Sequence, residues 1–175
     1  MKYLMDKIPY ILSSTVYSAL LLSHGIRLDT KLILYFPNSI YISFTSSTLK
    51  NLRPDMQSIM GIFRKASSFL SKSEKTSKVF RILPGIVCGY KDFLGIIGSL
   101  GNLFFYEDKG IRIENISFPK NFKFLICYPN IESNYLKLLI EGGAKSVKIY
   151  SKYKLPGPII MVINNYIDKQ VGELL

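Results

Sequence analysis

Along this chain the apolar positions switch repeatedly between helical spacing, every third or fourth residue, and strict alternation, a pattern that predicts mixed α/β architecture rather than a bundle or a sandwich. The spacing predicts a first helix over Ser13–His24, then strands Lys31–Phe36 and Ile40–Phe44 around a Pro37-Asn38 turn. Arg53-Pro54-Asp55 has the residue types that open a helix, and Ile59, Ile62, Phe63, Ala66 and Phe69 mark its buried face to about Leu70. The polar stretch Ser71–Lys78 reads as a loop too short to separate domains. After Pro84-Gly85 the pattern predicts a strand at Ile86–Cys88, a helix over Asp92–Leu100, and a hairpin of Leu103–Tyr106 with Ile111–Ile113 around Lys109-Gly110. Phe122–Cys127, apolar but for Lys123, is read as the kind of run a central parallel strand requires. A helix over Glu132–Glu141, a Gly142-Gly143 stop and a strand at Ser146–Tyr150 complete a β-α-β unit. A loop, Ser151–Gly157, leads to a last helix over Pro158–Val171, with Pro158 suited to its first turn.

A chain of 175 residues with 48% hydrophobic content can bury one core, and no repeat or composition shift divides it, so a single domain over 1–175 is expected. Charge changes the picture more. Twenty-three Lys and Arg against twelve Asp and Glu leave +11, whose simplest use is attraction to a polyanion, nucleic acid first. The excess is concentrated in Arg64–Arg81 and in Lys120–Lys154; a solvated basic surface that serves solubility is the other reading. Cys88 and Cys127 lack metal or redox spacing and are expected to be buried, reduced thiols of a cytoplasmic protein, and one histidine in the chain argues against a histidine-based metal site. Lys2 and Lys7 ahead of Val16–Leu22 imitate a secretory signal only faintly, since Ser13, Ser14, Thr15 and Ser18 break the run. No apolar stretch reaches the roughly 20 residues that cross a bilayer, which argues for a soluble protein with no membrane partner.

The densest candidate chemistry lies in Ser18–Asp29, where an apolar helix gives way to a turn bearing His24, Arg27 and Asp29. Arg27 and Asp29 would share one face of an extended segment. The same residues also suit an ordinary helix stop, with Gly25 in the left-handed turn, His24 against the helix dipole and a solvated Arg27–Asp29 pair.

Leu22-Ser23-His24-Gly25-Ile26-Arg27-x-Asp29 is followed by Ser47-x-Leu49-Lys50-x-Leu52-Arg53-Pro54-Asp55, Gln57-Ser58-Ile59, Val147-Lys148-Ile149 and Val162-Ile163-Asn164-Asn165-Tyr166-Ile167-Asp168. Together these motifs, from about Ser18 to Asp168, resemble the archaeal methyltransferases that modify N1 of the T-loop pseudouridine (position 54) in tRNA, members of the SPOUT superfamily. The resemblance implies a SPOUT-like α/β domain with a mixed, mostly parallel sheet flanked by helices and a C-terminal trefoil knot. It also implies S-adenosylmethionine held by the knot loops and a homodimer packed at the knot.

By position, the cofactor-binding residues implied are Cys127 and Tyr128 in the first loop and Tyr150, Ser151, Lys154 and Leu155 in the second. The chain departs from the family there. Where relatives carry Gly-Asp-His and a further glycine it has Cys127-Tyr128-Pro129 and then Asn130-Ile131-Glu132, and Ile159 falls where relatives place cysteine. Leu28 replaces the second arginine of Ile-Arg-Arg-Asp, and Gly89-Tyr90 an arginine pair.

The reaction implied is in-line methyl transfer from a sulfonium to a ring nitrogen, which needs positioning and electrostatics but no covalent nucleophile. Asp29 is the candidate base or orienter, and Arg27 the group that stabilises charge on neighbouring carbonyl oxygens. His24, Arg27, Arg53 and Lys152 are the candidate RNA-binding residues. Three functions are compatible with the sequence: the tRNA methyltransferase, a catalytically inactive SPOUT-fold homodimer that binds RNA without the methyl donor, and a structural protein whose charge serves a partner or solubility.

Overall fold

The computed structural model describes residues 9–22, 25–50, 52–72, 78–151 and 154–172. The chain forms two compact units, Met1–Ile97 and Gly98–Leu175.

In the first unit, helix α1 (Pro9–Leu20) starts at a proline and ends four residues earlier than the spacing predicts. Ser13-Ser14-Thr15 imitates a helix start, but Ser14 and Thr15 turn their hydroxyls back onto the Ile11 carbonyl, at 3.0 and 2.7 Å, inside a helix already under way. At the far end Leu21-Leu22 leaves the helix as strand β1 and pairs with β2 (Gly25–Ile26), while Arg27 N–H donates to Leu20 O at 2.9 Å. Gly25 therefore belongs to a small hairpin, not to a helix stop.

Strands β3 (Lys31–Phe36) and β4 (Ile40–Thr45) match the alternation, and Asn38 and Ser39 between them take φ of 63° and 64°. Such left-handed residues give hairpin turns the twist of their strands. The Asp55 carboxylate accepts from Ser58 N–H and from its hydroxyl, both at 2.7 Å, and so caps α2 (Met56–Ser71). Its buried stripe is Ile59, Ile62, Phe63, Ala66 and Leu70. Phe69, predicted in that stripe, lies about 80° off its centre on a wheel of 3.6 residues per turn; it is 41% exposed and stacks on Phe80. Strand β5 (Val79–Leu83), which the pattern did not reveal, is an edge strand whose Val79 is exposed. With β6 (Ile86–Tyr90) it completes an antiparallel sheet of order β3-β4-β6-β5. Gly85 closes the β5–β6 turn at φ 78°, where a Cβ would lie 2.7 Å from the Leu49 backbone. Helix α3 is cut to Phe93–Ile97 because Asp92 caps its start and Gly98, at φ 64°, turns the chain out.

The second unit carries the parallel pairing of the α/β class. Its sheet has the order β8-β7-β9, with β7 (Leu103–Arg112) in the middle and β8 (Lys123–Leu125) and β9 (Lys145–Lys148) parallel on either side. Two expectations are corrected here. The hairpin at Lys109-Gly110 does not form, because Tyr106 and Ile111 both lie opposite Val147 and both halves of β7 run along the same neighbour; residues 107–110 are an outward bulge. The 122–127 run is not the central strand but a short edge strand: Phe122 and Phe124 enter an aromatic cluster around Phe104 and Phe118, while Lys123 between them is exposed and donates to Ser99 O at 2.8 Å. Helix α4 (Ser133–Glu141) ends at Gly142 and Gly143 as predicted, and α5 (Pro156–Gly172) buries Ile159 and Ile163 against Val147 and Ile149. Gln170 donates to Ile116 O at 2.8 Å and Tyr166 to Glu114 O at 3.1 Å, tying α5 to the turn that follows β7.

Candidate functional site

Because the three strands run parallel, the loops after β8 and β9 and the bulge of β7 all emerge toward the carboxyl end of the sheet. In open α/β sheets that end is where ligands bind. Residues Cys127, Tyr128, Tyr150, Ser151, Lys154 and Leu155, expected to act together, are all in those loops.

After β8 the Cys127 thiol is half-buried, and loss of solvent pushes it up to about 11, so it is a neutral thiol at ordinary pH. Cys88, in β6, is fully buried and pushed up to about 11 for the same reason. Tyr128 follows, 43% exposed, with a cis bond to Pro129. After β9, Tyr150 stands 61% exposed. The Arg112 guanidinium lies 5.2 Å and the Lys148 ammonium 5.3 Å from the centre of its ring, within cation–π range. Arg112 also meets Glu114 at 3.6 Å.

Lys154 does not present an isolated charge: its ammonium pairs with the Asp108 carboxylate, which projects from the β7 bulge and also accepts from Tyr106 Oη at 2.8 Å. The Lys154 hydrogen bond, then that from Tyr106, holds the Asp108 carboxyl below its ordinary range. Tyr106 is pushed up to about 12, by burial first and by its acidic partner second. The bulge depends on Gly110, whose Cβ would lie 2.6 Å from the carbonyl carbon of Ser146 and the nitrogen of Val147.

Asp108, Tyr106 and Arg112 were not singled out as site residues in the sequence, and Lys148 entered only within the Val147-Lys148-Ile149 motif. Reading Lys109-Gly110 as a hairpin turn hid them, and the available signal was an acidic pair, Glu107-Asp108, interrupting an apolar strand just before a glycine. A cleft of about 370 Å³ lies at the opposite, amino end of the sheet, lined by Asn102, Phe104, Ser117, Phe118, Pro119, Gly143 and Lys145 among others.

In the first unit, Arg27 is half-buried and Asp29 exposed in a turn at Leu28-Asp29, where its carboxylate lies 3.5 Å from Thr30 Oγ1. No extended segment follows Arg27 directly, so the alternation that would align the two side chains does not apply. Arg53 is exposed just before α2. His24 and Lys152 lie outside the described residues, as do 73–77 of the polar loop. Among the described residues no group of three or more His, Cys, Asp or Glu is placed to hold a metal, and no helix is long and apolar enough to cross a membrane.

No protein-family model matches the chain. It is 27% identical over 161 residues to the tRNA (pseudouridine(54)-N(1))-methyltransferase of Thermococcus kodakarensis, covering 86% of this chain and 80% of that protein. To the enzyme of the same name from Haloarcula marismortui it is 24% identical over 163 residues, covering 90% and 81%. Its fold is similar to the crystal structure of Archaeoglobus fulgidus Nep1 bound to S-adenosylhomocysteine, with a TM-score of 0.58, 13% identity, and 93% of this chain and 70% of that one covered. With the parallel sheet and the carboxyl-end loops in place, the chain is similar to archaeal tRNA (pseudouridine(54)-N(1))-methyltransferases over most of its length, and its α/β fold is that of the SPOUT class to which the Nep1 likeness points.

Proposed function

We propose that this protein is an S-adenosylmethionine-dependent RNA methyltransferase that methylates N1 of a T-loop pseudouridine in tRNA, with residues 1–175 acting as one domain and two copies pairing at a C-terminal knot in the cytoplasm. The observation that carries the reading is the likeness to two tRNA methyltransferases over 86% and 90% of the chain. The formal charge of +11 supports a polyanionic substrate.

The carboxyl-end loops fit the donor chemically. Cys127 contributes a neutral thiol in apolar surroundings, Tyr128 and Tyr150 contribute aromatic surface, and the one cation of the second loop among the described residues, Lys154, is paired with a carboxylate. Cys127, Tyr128, Tyr150, Ser151, Lys154 and Leu155 would hold it. Bound there, S-adenosylmethionine would supply a methyl carbon on a sulfonium, whose C–S bonding pair would stay on sulfur as the methyl passes to the ring nitrogen.

Asp29 takes or orients the proton that the ring nitrogen gives up, and Arg27 stabilises the charge that appears on the flanking carbonyl oxygens. His24, Arg53 and Lys152, with Arg27, hold tRNA phosphates.

A second reading, RNA binding without the donor, is favoured by one observation: Tyr150 in the second loop is 61% exposed and flanked by two cations. Calorimetric titration of the protein with S-adenosylmethionine and S-adenosylhomocysteine, without RNA, separates the two. Micromolar binding is expected, followed by methylation of tRNA carrying pseudouridine 54 and a loss of about 10²- to 10⁴-fold in rate for Asp29→Ala. Absence of both heat and thermal shift would leave the RNA-binding homodimer as the function.

A further inference from the structure

A lysine in a loop that receives a sulfonium is an electrostatic liability, since two like charges a few ångströms apart repel. This fold answers it in an unexpected place. The β7 strand breaks its pairing with β9 for four residues, 107–110, and resumes opposite the same Val147. Bulges of this kind re-aim a side chain. Here the re-aimed side chain is Asp108, which crosses to Lys154 in the loop before α5 and is steadied by the Tyr106 hydroxyl at 2.8 Å. Gly110 lets the excursion lie against the Ser146-Val147 backbone.

Neither group is buried enough for the pair to contribute much stability, the side chains being 66% and 59% exposed. Stability is therefore a poor reason for four residues to leave the strand. What the arrangement does supply is a fixed negative charge beside Lys154, the cation of the second loop among the described residues. An aspartate is ionised at neutral pH, and its Lys154 and Tyr106 partners hold Asp108 lower still.

We propose that Asp108 is a positioning residue for the donor site: through Lys154 it sets the charge of the loop after β9, so that the loop accepts the sulfonium cation rather than only the neutral thioether product. This rests on the methyltransferase reading above, and it concerns ligand charge rather than methyl transfer. Its signature is the ratio of dissociation constants for S-adenosylmethionine and S-adenosylhomocysteine, two ligands that differ in a methyl group and a positive charge. A general loosening of the loop weakens both ligands alike and leaves the ratio alone.

The test is titration of four full-length proteins with both ligands at low salt, each variant first checked for an intact melting transition. Asp108→Asn is expected to raise the ratio, disfavouring the sulfonium on the order of fivefold for a charge several ångströms away in a partly solvated site. Asp108→Glu is expected to keep the wild-type ratio. Lys154→Met is expected to move it the opposite way, an independent reading should Asp108→Asn not fold. Equal weakening of both ligands, or an unchanged ratio in Asp108→Asn and Lys154→Met, overturns the assignment while leaving the methyltransferase reading intact. Wild-type protein that binds neither ligand overturns that reading and this one with it.

Discussion

The four-stranded sheet and the three-stranded sheet are built on opposite terms. In the first unit β3, β4 and β6 pair without interruption from Lys31↔Thr45 to Phe36↔Ile40 and from Ile40↔Tyr90 to Phe44↔Ile86, the register slipping only at the edge pair β5–β6. In the second unit the central strand itself is broken, and the mutually bonded groups Tyr106, Asp108 and Lys154 gather at the break. The lesson concerns where irregularity is placed. An antiparallel pair closed by a short turn has its register set locally, at Asn38-Ser39 or Gly85, and serves as scaffold. A parallel sheet draws its neighbours from distant segments, so an extra stretch of chain on the middle strand can be kept and aimed.

The largest expected effect tests whether both sheets rest on equally tight cores. Phe63→Ala in α2 and Phe105→Ala in β7 each remove a ring that is 1% exposed, and each should cost about 3–5 kcal/mol. Chemical denaturation followed by amide exchange reads the loss and where it falls. If Phe105→Ala costs less than about 1 kcal/mol, the second unit is loosely packed, and the contrast in register is a contrast in order.

The bulge is sharpened by a smaller change. Gly110→Ala forces a Cβ within 2.6 Å of the β9 backbone, whereas Gly101→Ala meets nothing within 4 Å. The first should destabilise by about 1–3 kcal/mol, with lost amide protection in β9, and the second should stay within about 0.5 kcal/mol of wild type. Equal effects would mean that the bulge yields freely and positions nothing.

The smallest effect compares one carboxylate from each unit. Asp55 is held below its ordinary range by the hydroxyl and backbone N–H of Ser58, and Asp108 by Lys154 and Tyr106. For a carboxyl lowered on folding, the added stability is present above the unfolded value, near pH 4, and is lost as pH falls through the folded one. Melting temperature should therefore decline on acidification below about pH 4, and Asp55→Asn and Asp108→Asn should each flatten that decline slightly. A steeper decline in either variant would reverse the sign of the assigned interaction.

Much of the scaffold was legible from local pattern. The β3–β4 hairpin, the α2 face from Ile59 to Leu70, the Gly142-Gly143 stop and the last helix all follow from spacing, caps and turn residues that act within a few positions of one another. The mixed α/β class and the likeness to archaeal tRNA methyltransferases were legible too, from Leu22–Asp29, Ser47–Asp55 and Val162–Asp168. The end of α1 was not legible, because nothing in Leu20-Leu21-Leu22 stops a helix; the pairing with Gly25-Ile26 does. Phe122–Cys127 was misread as a central strand because its apolar residues dominate; the exposed Lys123 was the local mark of an edge strand.

What the sequence by itself determined was therefore each element that local physics can specify: helical stripes, caps, glycine turns, and a surplus of positive charge. What only the tertiary structure decided was strand order and the partners of Asp108. Lys154 lies 46 positions away along the chain, and the two meet because Tyr106 and Ile111 are both held opposite Val147, a coincidence of register that no local periodicity encodes.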